Sequence, residues 1–410
     1  MFYTENEVLE YVNDNDVKFI RLAFCDPYGA MKNVSIMNTE LERALTTGIS
    51  IDASAINGFA SIDASDLFLH PVLSSLTILP WRPAKGRVAR FYCNIAYPDG
   101  RPFEVDSRWI LETAIRHAKE MNIRCSFGPE CEFYLFKLDE EGNPTRIPAD
   151  RAGYMDVAPF DKGENVRREI CIALEQMNFM PEASHHEEGP GQNEIDFKYS
   201  DPMTSADNML TFKSVVETVA AANGMHANFS PKPLRENAGN GLHINMSPRW
   251  IGDDKPDPEL KKYFMAGIMH RIREITVFLN PTEESYLRLG GNKAPRFVTW
   301  SPSNRSQLIR IPASTGAYDR IELRSADCMA NPYIAYALLL EAGLEGIREK
   351  MEPPAPVNRN LYALAPEEYR DLPQLPYSYE EALALAEKSD FVRTYLPEHA
   401  RRAYVRKPPM

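Results

Sequence analysis

Acidic residues that alternate with apolar ones are the first sign of chemistry in this sequence. In the segment GPECEFYLF, Glu130 and Glu132 are separated by a single residue. Side chains alternate along a strand, so the two carboxylates would share one face. There they need a cation between them, or one of them must stay protonated, unless the segment is a solvated edge strand. The spacing therefore indicates either a cation site or an ordinary edge.

A second acidic segment, EASHHEEGPGQNEI, contains a turn signal. Its Gly-Pro-Gly centre predicts that the chain folds back, which would bring Glu187 and Glu194 together. His185, His186 and Glu187 alone could also form a zinc site, but no HExxH motif follows.

The segment GLHINMS places polar and apolar residues in strict alternation. His243, Asn245 and Ser247 would share one face of a strand. A core histidine satisfied by its neighbours is the ordinary explanation for His243 alone. Many carboxylates together with one imidazole, however, suit a hard cation such as Mg²⁺ or Mn²⁺.

Arginines are concentrated between residues 288 and 324. In RIELR, two of them would share a strand face with Glu322. Arginine binds carboxylate and phosphate oxygens bidentately and keeps its charge when desolvated, although surface salt bridging explains any single one. Neither a GxxxxGK[ST] loop nor a GxGxxG turn occurs, so a nucleotide would be held by metals and arginines. The candidates in this range for binding phosphate or carboxylate are Arg288, Arg305, Arg310, Arg320 and Arg324.

Composition excludes several classes of function. The 410 residues are 44% hydrophobic and 25% charged, with a formal net charge of −12. Such an acidic protein is a poor partner for nucleic acid, and no segment approaches the roughly 18 apolar residues of a membrane span. The N-terminus is acidic rather than signal-like, and the six cysteines form no CxxC. We expect a cytoplasmic protein with neither nucleic acid nor membrane as a partner.

The pattern along the chain predicts an α+β protein. Short strands are expected in VKFIRLAFCD, SLTILPW and VARFYCNIAY, and a helix begins near Asp106-Ser107. We place a domain boundary there, giving domains 1–103 and 104–410. The second would contain antiparallel strands covered by helices, one of them running from a cap at Ser205–Asp207 to Gly224.

These segments, taken in order, resemble the glutamine synthetase family. The resemblance covers nearly the whole chain and rests on the motifs GPECEFYLF, SHHEEGPGQNEIDF, GNGLHINMS, NPTEESYLRL, NRSQLIRIP and RIELRSADCMANPYIAYALLLEAGLEGI, among others. It implies an N-terminal β-grasp domain followed by a catalytic domain with a curved antiparallel sheet and flanking helices. It also implies self-association into rings, with active sites between neighbouring subunits.

The resemblance implies two to three Mg²⁺ or Mn²⁺ ions per active site, with ATP as co-substrate. By motif position, one ion would be held by Glu132, Glu187 and Glu194. The second would be held by Glu130, His243 and Glu322.

Other roles also follow from motif position. Catalytic roles fall to Asp52, Arg305, Arg324 and Lys293, with Asp52 reaching a neighbouring subunit's site. The substrate glutamate would be contacted by Arg288, Gly239, Glu132 and Arg310. The nucleotide would be contacted by Glu182, Ser247, Asn245, Arg305 and Arg320.

The implied reaction has two steps. The carboxylate of glutamate, or of a similar acid, attacks the γ-phosphate of ATP, and metals and arginines neutralise the charge of the transferring group. An amine then attacks the acyl phosphate, which leaves an amide.

The sequence departs from the family pattern in the amine-accepting half. Lys293 stands where the family has a glutamate before Ala-Pro, and its loop is one residue short. This reversal turns attraction for ammonium into repulsion, about 4 kcal/mol at ~4 Å with an effective dielectric near 20. Two further departures are Ala238 in place of an asparagine and Asn245 in place of a histidine.

The departures lead us to expect an organic amine rather than ammonia as the acceptor. Ordinary glutamine synthesis is one alternative. A non-catalytic ligand-binding relative, in which Lys293 pairs with Asp52, is another. Tyr362 occupies the position that some family members adenylylate, but an unmodified structural tyrosine is the simpler interpretation.

Overall fold

The computed structural model describes residues 4–59, 62, 65–291, 293–314 and 319–405, which form two compact units. Unit 1 contains Met1–Ile110, Ile172–Phe179 and Leu396–Met410, and unit 2 contains Leu111–Cys171 and Met180–Tyr395. Among the helices that can be described, none is long and apolar enough to cross a membrane.

Unit 1 is built on a mixed six-stranded sheet. Its strands are β1 (Val17–Cys25), β2 (Met31–Met37), β3 (Ile49–Asp52), β4 (Asp66–Pro71), β5 (Thr77–Ile78) and β6 (Arg87–Ala96). The strand order is β2-β1-β6-β4-β3, with β5 on β6, and only the β1–β6 pair is parallel among the described strands of this sheet. The strands predicted in VKFIRLAFCD and VARFYCNIAY are confirmed. In SLTILPW only Thr77–Ile78 is extended, since a 3₁₀ turn precedes it and Pro80 follows.

Among the described residues, four α-helices begin before residue 165. They are α1 (Glu5–Asp14), α2 (Leu41–Thr47), α3 (Ser107–Glu120) and α4 (Glu164–Gln176). The predicted start of α3 at Ser107 is confirmed. Both α3 and α4 have residues in each unit.

Unit 2 contains a nine-stranded sheet. Its strands are β7 (Ile123–Leu138), β8 (Pro144–Pro148), β9 (Pro181–His186), β10 (Gln192–Phe197), β11 (Met225–Asn228), β12 (Leu242–Trp250), β13 (Trp300–Pro302), β14 (Ile309–Ile311) and β15 (Ile321–Leu323). The order is β13-β14-β15-β12-β7-β10-β9, with β8 and β11 also on β7. The long β7 is thus the axis of the sheet, and its neighbours run antiparallel to it.

The remaining helices are α5 (Pro202–Ala222), α6 (Pro258–Leu279), α7 (Glu283–Arg288), α8 (Pro332–Glu349), α9 (Pro366–Tyr369), α10 (Tyr379–Lys388) and α11 (Asp390–Tyr395) in unit 2, and α12 (Glu398–Val405) in unit 1. Helices α6 and α8 pack closely because glycines face each other. A Cβ on Gly267 would lie 2.1 Å from the carbonyl oxygen of Ala342 and 2.7 Å from the nitrogen of Gly346.

The predicted cap of α5 at Ser205–Asp207 is wrong. The helix begins one turn earlier, because the Asp201 carboxylate accepts hydrogen bonds from the backbone N–H groups of Met203 and Thr204. Pro202 is suited to the first helical position, where no N–H partner is required. The predicted end is confirmed, with Ala222 as the last helical residue and Gly224 at φ +68°.

Candidate active site

A strongly polar cavity of about 400 Å³ lies in unit 2. Its walls carry both carboxylates and guanidinium groups, in keeping with a site for anions and cations together. The lining residues are Glu130, Glu132, Tyr154, His185, Glu187, Glu188, Gln192, Glu194, Asp196, Ala238, Gly239, His243, Arg288, Lys293, Ala294, Arg305, Arg310, Arg320 and Arg324.

Strand register brings the acidic residues of separate motifs together. Glu130 on β7 lies opposite His243 on β12 and opposite Asp196 on β10. Glu132, two residues along β7, lies opposite Glu194. The predicted shared face of Glu130 and Glu132 is therefore part of a larger face that three antiparallel strands build. We call the strand residues Glu130, Glu132, Glu194, His243, Arg310 and Glu322, together with Arg324 directly after β15, the sheet wall.

Glu322 on β15 is the centre of the charge network in the sheet wall. Its fully buried carboxylate forms ion pairs with Arg310 and Arg324, and His243 Nδ1 lies 3.8 Å from Glu322 Oε1. A buried carboxylate with several charged partners fixes the positions of those partners. Register supports this arrangement, since β14 sets Arg310 opposite Glu322.

Several groups of side chains could hold a divalent cation. Ligand atoms lie within 4.8 Å of one another in the set Glu130, His243 and Glu322, as predicted for one metal. The predicted set Glu132, Glu187 and Glu194 is divided between two groups in the structure. Glu194 joins Glu132 and His243 in one group and joins His185 and Glu187 in the other.

The acidic residues of the cavity raise one another's proton affinity. Burial and the charge of Glu132 raise the pKa of Glu187 to about 7. Burial and the charge of Glu130 raise the pKa of Asp196 to about 7 as well. Burial and Glu132 also raise the pKa of Glu194. Glu130 differs: burial acts to raise its pKa, but the hydrogen bonds from His243 and Asn245 and the charges of His243 and Arg324 together lower it to about 2.

This donor set fits Mg²⁺ or Mn²⁺. Carboxylate oxygens with imidazole suit hard cations, and a bound cation would remove the repulsion that raises these pKa values. Buried atoms here that lack a hydrogen-bond partner include Asp196 Oδ1. That oxygen is therefore available to a ligand or a metal-bound water.

Arg288 is fixed beside the glycines of the segment GNG. Its guanidinium donates to the carbonyls of Ser325 (2.8 Å) and Arg324 (3.2 Å). A Cβ on Gly239 would lie 2.2 Å from the oxygen of Pro231 and 3.0 Å from Arg288 Cγ. A side chain at position 239 would clash with these atoms, so glycine is required there. The backbone of Gly239 and the guanidinium of Arg288 therefore line the cavity side by side.

Asn245 connects a predicted metal ligand to a predicted phosphate-facing arginine. Its amide nitrogen donates to Glu130 Oε1 (2.8 Å) and to the carbonyl of Gly128 (3.1 Å). Its amide oxygen accepts from Arg320 Nε (2.8 Å). The side chain is 9% exposed, and its contacts place it as a support behind the cavity rather than in its lining.

Another part of the cavity lining comes from a turn and a loop. Lys293, on the loop after α7, forms an ion pair with Glu188, which follows β9. We call Lys293 and Glu188 the flap wall. Lys293 Nζ also lies 5.6 Å from the ring centroid of Tyr154, whose own ring contacts His185. The described partner of Lys293 is therefore Glu188, in the same unit.

A buried network supports the turn that carries Glu188. His186 Nε2 lies 2.9 Å from Asp150 Oδ1, and His186 Nδ1 lies 2.7 Å from the carbonyl oxygen of Glu187. Asp150 also accepts from the backbone N–H groups of Gly191 and Lys162, each at 2.9 Å. The pair of Asp150 and His186 thus fixes the β9–β10 turn through hydrogen bonds to its backbone.

Some predicted residues lie away from the cavity lining. Glu182 is on β9, and Ser247 on β12 donates its hydroxyl to the carbonyl of Asp319 (2.8 Å). Asp52, in unit 1, accepts from Ser54 N (3.0 Å) and Ser54 Oγ (2.6 Å). Tyr362 is 42% exposed.

The lining residues absent from the predicted site set are Tyr154, His185, Glu188, Gln192, Asp196, Ala238 and Ala294. Asp196 could have been found, because it follows Glu194 by two residues and so shares its strand face. His185 lies on β9 opposite Glu194, a strand pairing that periodicity alone does not reveal, whereas Tyr154 and Glu188 carry no periodic signal because they lie outside the strands.

Comparison with known proteins agrees with this geometry. Residues 16–98 match the family Glutamine synthetase, beta-Grasp domain, and residues 104–407 match Glutamine synthetase, catalytic domain. A glutamine synthetase from Clostridium saccharobutylicum is 44% identical over 414 residues, covering 98% of this chain and 94% of that protein. One from Methanosarcina mazei is 45% identical over 407 residues, covering 97% and 91%.

Solved structures give the same picture. A GmaS complex with ADP has a TM-score of 0.88 and 26% identity, covering 98% of this chain and 94% of that chain. Plasmodium falciparum glutamine synthetase has a TM-score of 0.86 and 25% identity, covering 99% and 95%. The expected α+β fold, a β-grasp domain followed by a catalytic domain with a curved sheet, is confirmed.

Proposed function

Since this chain belongs to the glutamine synthetase family of ATP-dependent ligases, we propose that it joins the γ-carboxylate of glutamate to an organic amine. The observation that carries the choice of amine is the flap wall, where a cation faces the cavity. The proposed division of the chain is 1–103 and 104–410. We also propose a cytoplasmic ring assembly, in which Asp52 reaches a neighbouring subunit's site.

The sheet wall supports the activation step. Mg²⁺ or Mn²⁺ held by Glu130, His243 and Glu322, and by Glu132, Glu187 and Glu194, would neutralise the ATP phosphates. Arg305, Arg310, Arg320 and Arg324 supply positive charge along the same cavity for the transferring phosphoryl group. Arg288 and Gly239 would orient glutamate so that its γ-carboxylate oxygen attacks the γ-phosphorus and ADP leaves.

The second step needs an uncharged amine. An alkylammonium loses one proton, its nitrogen attacks the acyl carbon, and the C–O bond to phosphate breaks. Phosphate leaves with the second proton, so the sum is an amide, ADP, hydrogen phosphate and one proton released to solvent. Lys293 disfavours free ammonium at the cavity by like-charge repulsion. An organic amine gains contacts from its substituent that ammonium cannot make.

Glutamine synthesis from ammonia is the second candidate. The relatives at 44–45% identity are named glutamine synthetases. The Glu188 carboxylate also neutralises Lys293 and would weaken its repulsion of ammonium.

Phosphate release from ATP tests the proposal. The protein is supplied with glutamate, Mg²⁺ or Mn²⁺, and in turn ammonia, methylamine, ethanolamine and diamines. We expect faster turnover with at least one organic amine than with ammonia, and mass spectrometry should find the matching γ-glutamylamide. Turnover with ammonia that no organic amine matches would overturn the choice of acceptor.

A further inference from the structure

We propose that the flap wall selects a zwitterionic acceptor, meaning an amine that carries a carboxylate close to its amino group, such as an amino acid. The inference rests on the proposed function and specifies the class of amine. Its basis is that the flap wall offers one positive and one negative group, on separate elements, at the same part of the cavity.

The two charges come from separate elements of the chain. Glu188 belongs to the β9–β10 turn, whereas Lys293 belongs to the loop that follows α7. Both line the cavity, and their side chains are 37% and 51% exposed. They are thus accessible to a molecule that enters the cavity, and they sit apart from the buried pairs of the sheet wall.

The ion pair between them can open at low cost. Exposed ion pairs contribute only about 0–1 kcal/mol, because both partners remain hydrated when they separate. The pairs at Glu322 differ, since that carboxylate is fully buried. A ligand therefore competes for Glu188 and Lys293 far more easily than for the charges of the sheet wall.

The pairing of charges determines which class of amine binds most favourably. When a zwitterion enters, its ammonium can pair with Glu188 and its carboxylate with Lys293. Each protein charge then exchanges one partner for another, and none is left uncompensated. A simple alkylammonium pairs with Glu188 but leaves Lys293 without its carboxylate, and a diamine adds a second cation beside it. A partly desolvated charge without a partner is unfavourable, so the zwitterion is preferred.

The β9–β10 turn holds the amino end of such an acceptor near the reacting groups. The backbone N–H of Glu188 donates to Glu187 Oε2 (2.9 Å), which connects the flap wall to a predicted metal ligand. An amine paired with Glu188 therefore approaches the side of the cavity where the acyl phosphate would form.

A matched pair of acceptors tests the proposal. Glycine and glycinamide differ in the charge at the end distant from the amine, and β-alanine and β-alaninamide form a second pair. The ratio of kcat/KM for the acid over the amide is measured for the wild type and for Lys293→Met. We expect the variant to lower that ratio about tenfold or more, the value of one charge-assisted hydrogen bond. Lys293→Arg should retain the ratio.

Glu188→Gln provides the complementary measurement. Glu188 would contact the amine, which both members of a pair share, so the variant should lower kcat/KM for acid and amide alike and leave the ratio unchanged. An unchanged ratio in Lys293→Met would overturn the proposal, as would a wild type that prefers glycinamide or alkylamines to glycine. The second result leaves the proposed function intact. Turnover with ammonia alone, in contrast, would overturn both the proposed function and the preference for a zwitterionic acceptor.

Discussion

The sheet wall and the flap wall face the same cavity but are built in different ways. Charges of the sheet wall come from neighbouring strands, are largely buried and share several partners, as Glu322 does with Arg310 and Arg324. The flap wall has one ion pair between half-exposed side chains on a turn and a loop. Strand register fixes the first wall, whereas loop paths set the second.

This difference has a consequence for chemistry. A substitution at Glu322 disturbs every partner in its network, whereas one at Lys293 changes a half-exposed ion pair with Glu188 and a contact with the Tyr154 ring. The carboxylate-activating side of the site is therefore constrained by the fold, and the amine-accepting side can change its specificity without refolding.

The largest effect is expected from Glu322→Gln. The variant leaves two guanidinium groups near a neutral amide, and breaking a buried pair in this way costs about 3–5 kcal/mol. It also removes a predicted metal ligand, so phosphate release should fall by about three orders of magnitude. Urea unfolding gives the loss of stability, and phosphate release gives the loss of activity.

Glu188→Gln is the matched control for that stability measurement. The chemical change is identical, but its side chain is 37% exposed and has Lys293 as its ion-pair partner. Its free energy of unfolding should change by less than about 1 kcal/mol. Equal losses of stability in the two variants would contradict the distinction between the walls.

A smaller effect is expected from Asn245→Ala, which removes a support of the sheet wall without removing a charge. Glu130 loses a donor, and Arg320 loses an acceptor. Losing such a support lowers metal affinity by about 10–100-fold. Mn²⁺ binding to the protein without nucleotide, followed by electron paramagnetic resonance, measures this directly.

Asn245→His is the control, since its imidazole can still donate a hydrogen bond and is the residue implied by the family resemblance. We expect it to bind Mn²⁺ more tightly than the alanine variant. If alanine and wild type bind Mn²⁺ equally, Asn245 does not orient Glu130.

The two walls also differ in how far the sequence predicts them. Alternation along β7 was enough to place Glu130 and Glu132 on one face, and the same rule extends to Asp196 after Glu194. The Lys293–Glu188 pair could not be predicted, because periodicity carries no information on where a loop and a turn meet. The start of α5 is also mispredicted, because two residues could cap the helix. Asp201 caps it in place of the later Ser205, since Asp201 is followed by a proline that suits the first helical position.

An effect on stability alone is expected from Asp150→Asn, next to the turn that carries Glu188. Burial acts to raise the pKa of Asp150, but the hydrogen bond and charge of His186, together with backbone hydrogen bonds from Lys162 and Ala152, lower it to about 2. Burial acts to lower the pKa of His186, yet the bond to Asp150 raises it. The pair is thus most stabilising when both groups are charged.

The sign of the pH dependence follows from these directions. Asp150 stabilises the fold fully above its unfolded pKa of about 3.9, and this contribution is lost as the pH falls toward its folded pKa. His186 stabilises it fully below about pH 6.5, and that contribution is lost as the pH rises through its raised pKa. The variant should therefore lose most stability, about 1.5–3 kcal/mol, between about pH 4 and 6.5, and less at pH ~9.

Urea unfolding at pH ~5.5 and ~9 measures that difference, with Asp139→Asn as the control. Asp139 also accepts backbone hydrogen bonds, from Glu141 (3.0 Å) and Asn143 (2.7 Å), but it lies in an exposed turn without a histidine partner. Its loss of stability should be smaller and the same at both pH values. If Asp150→Asn also loses equal stability at both, the charged pair with His186 does not hold the turn. The flap wall would then depend on backbone hydrogen bonds alone.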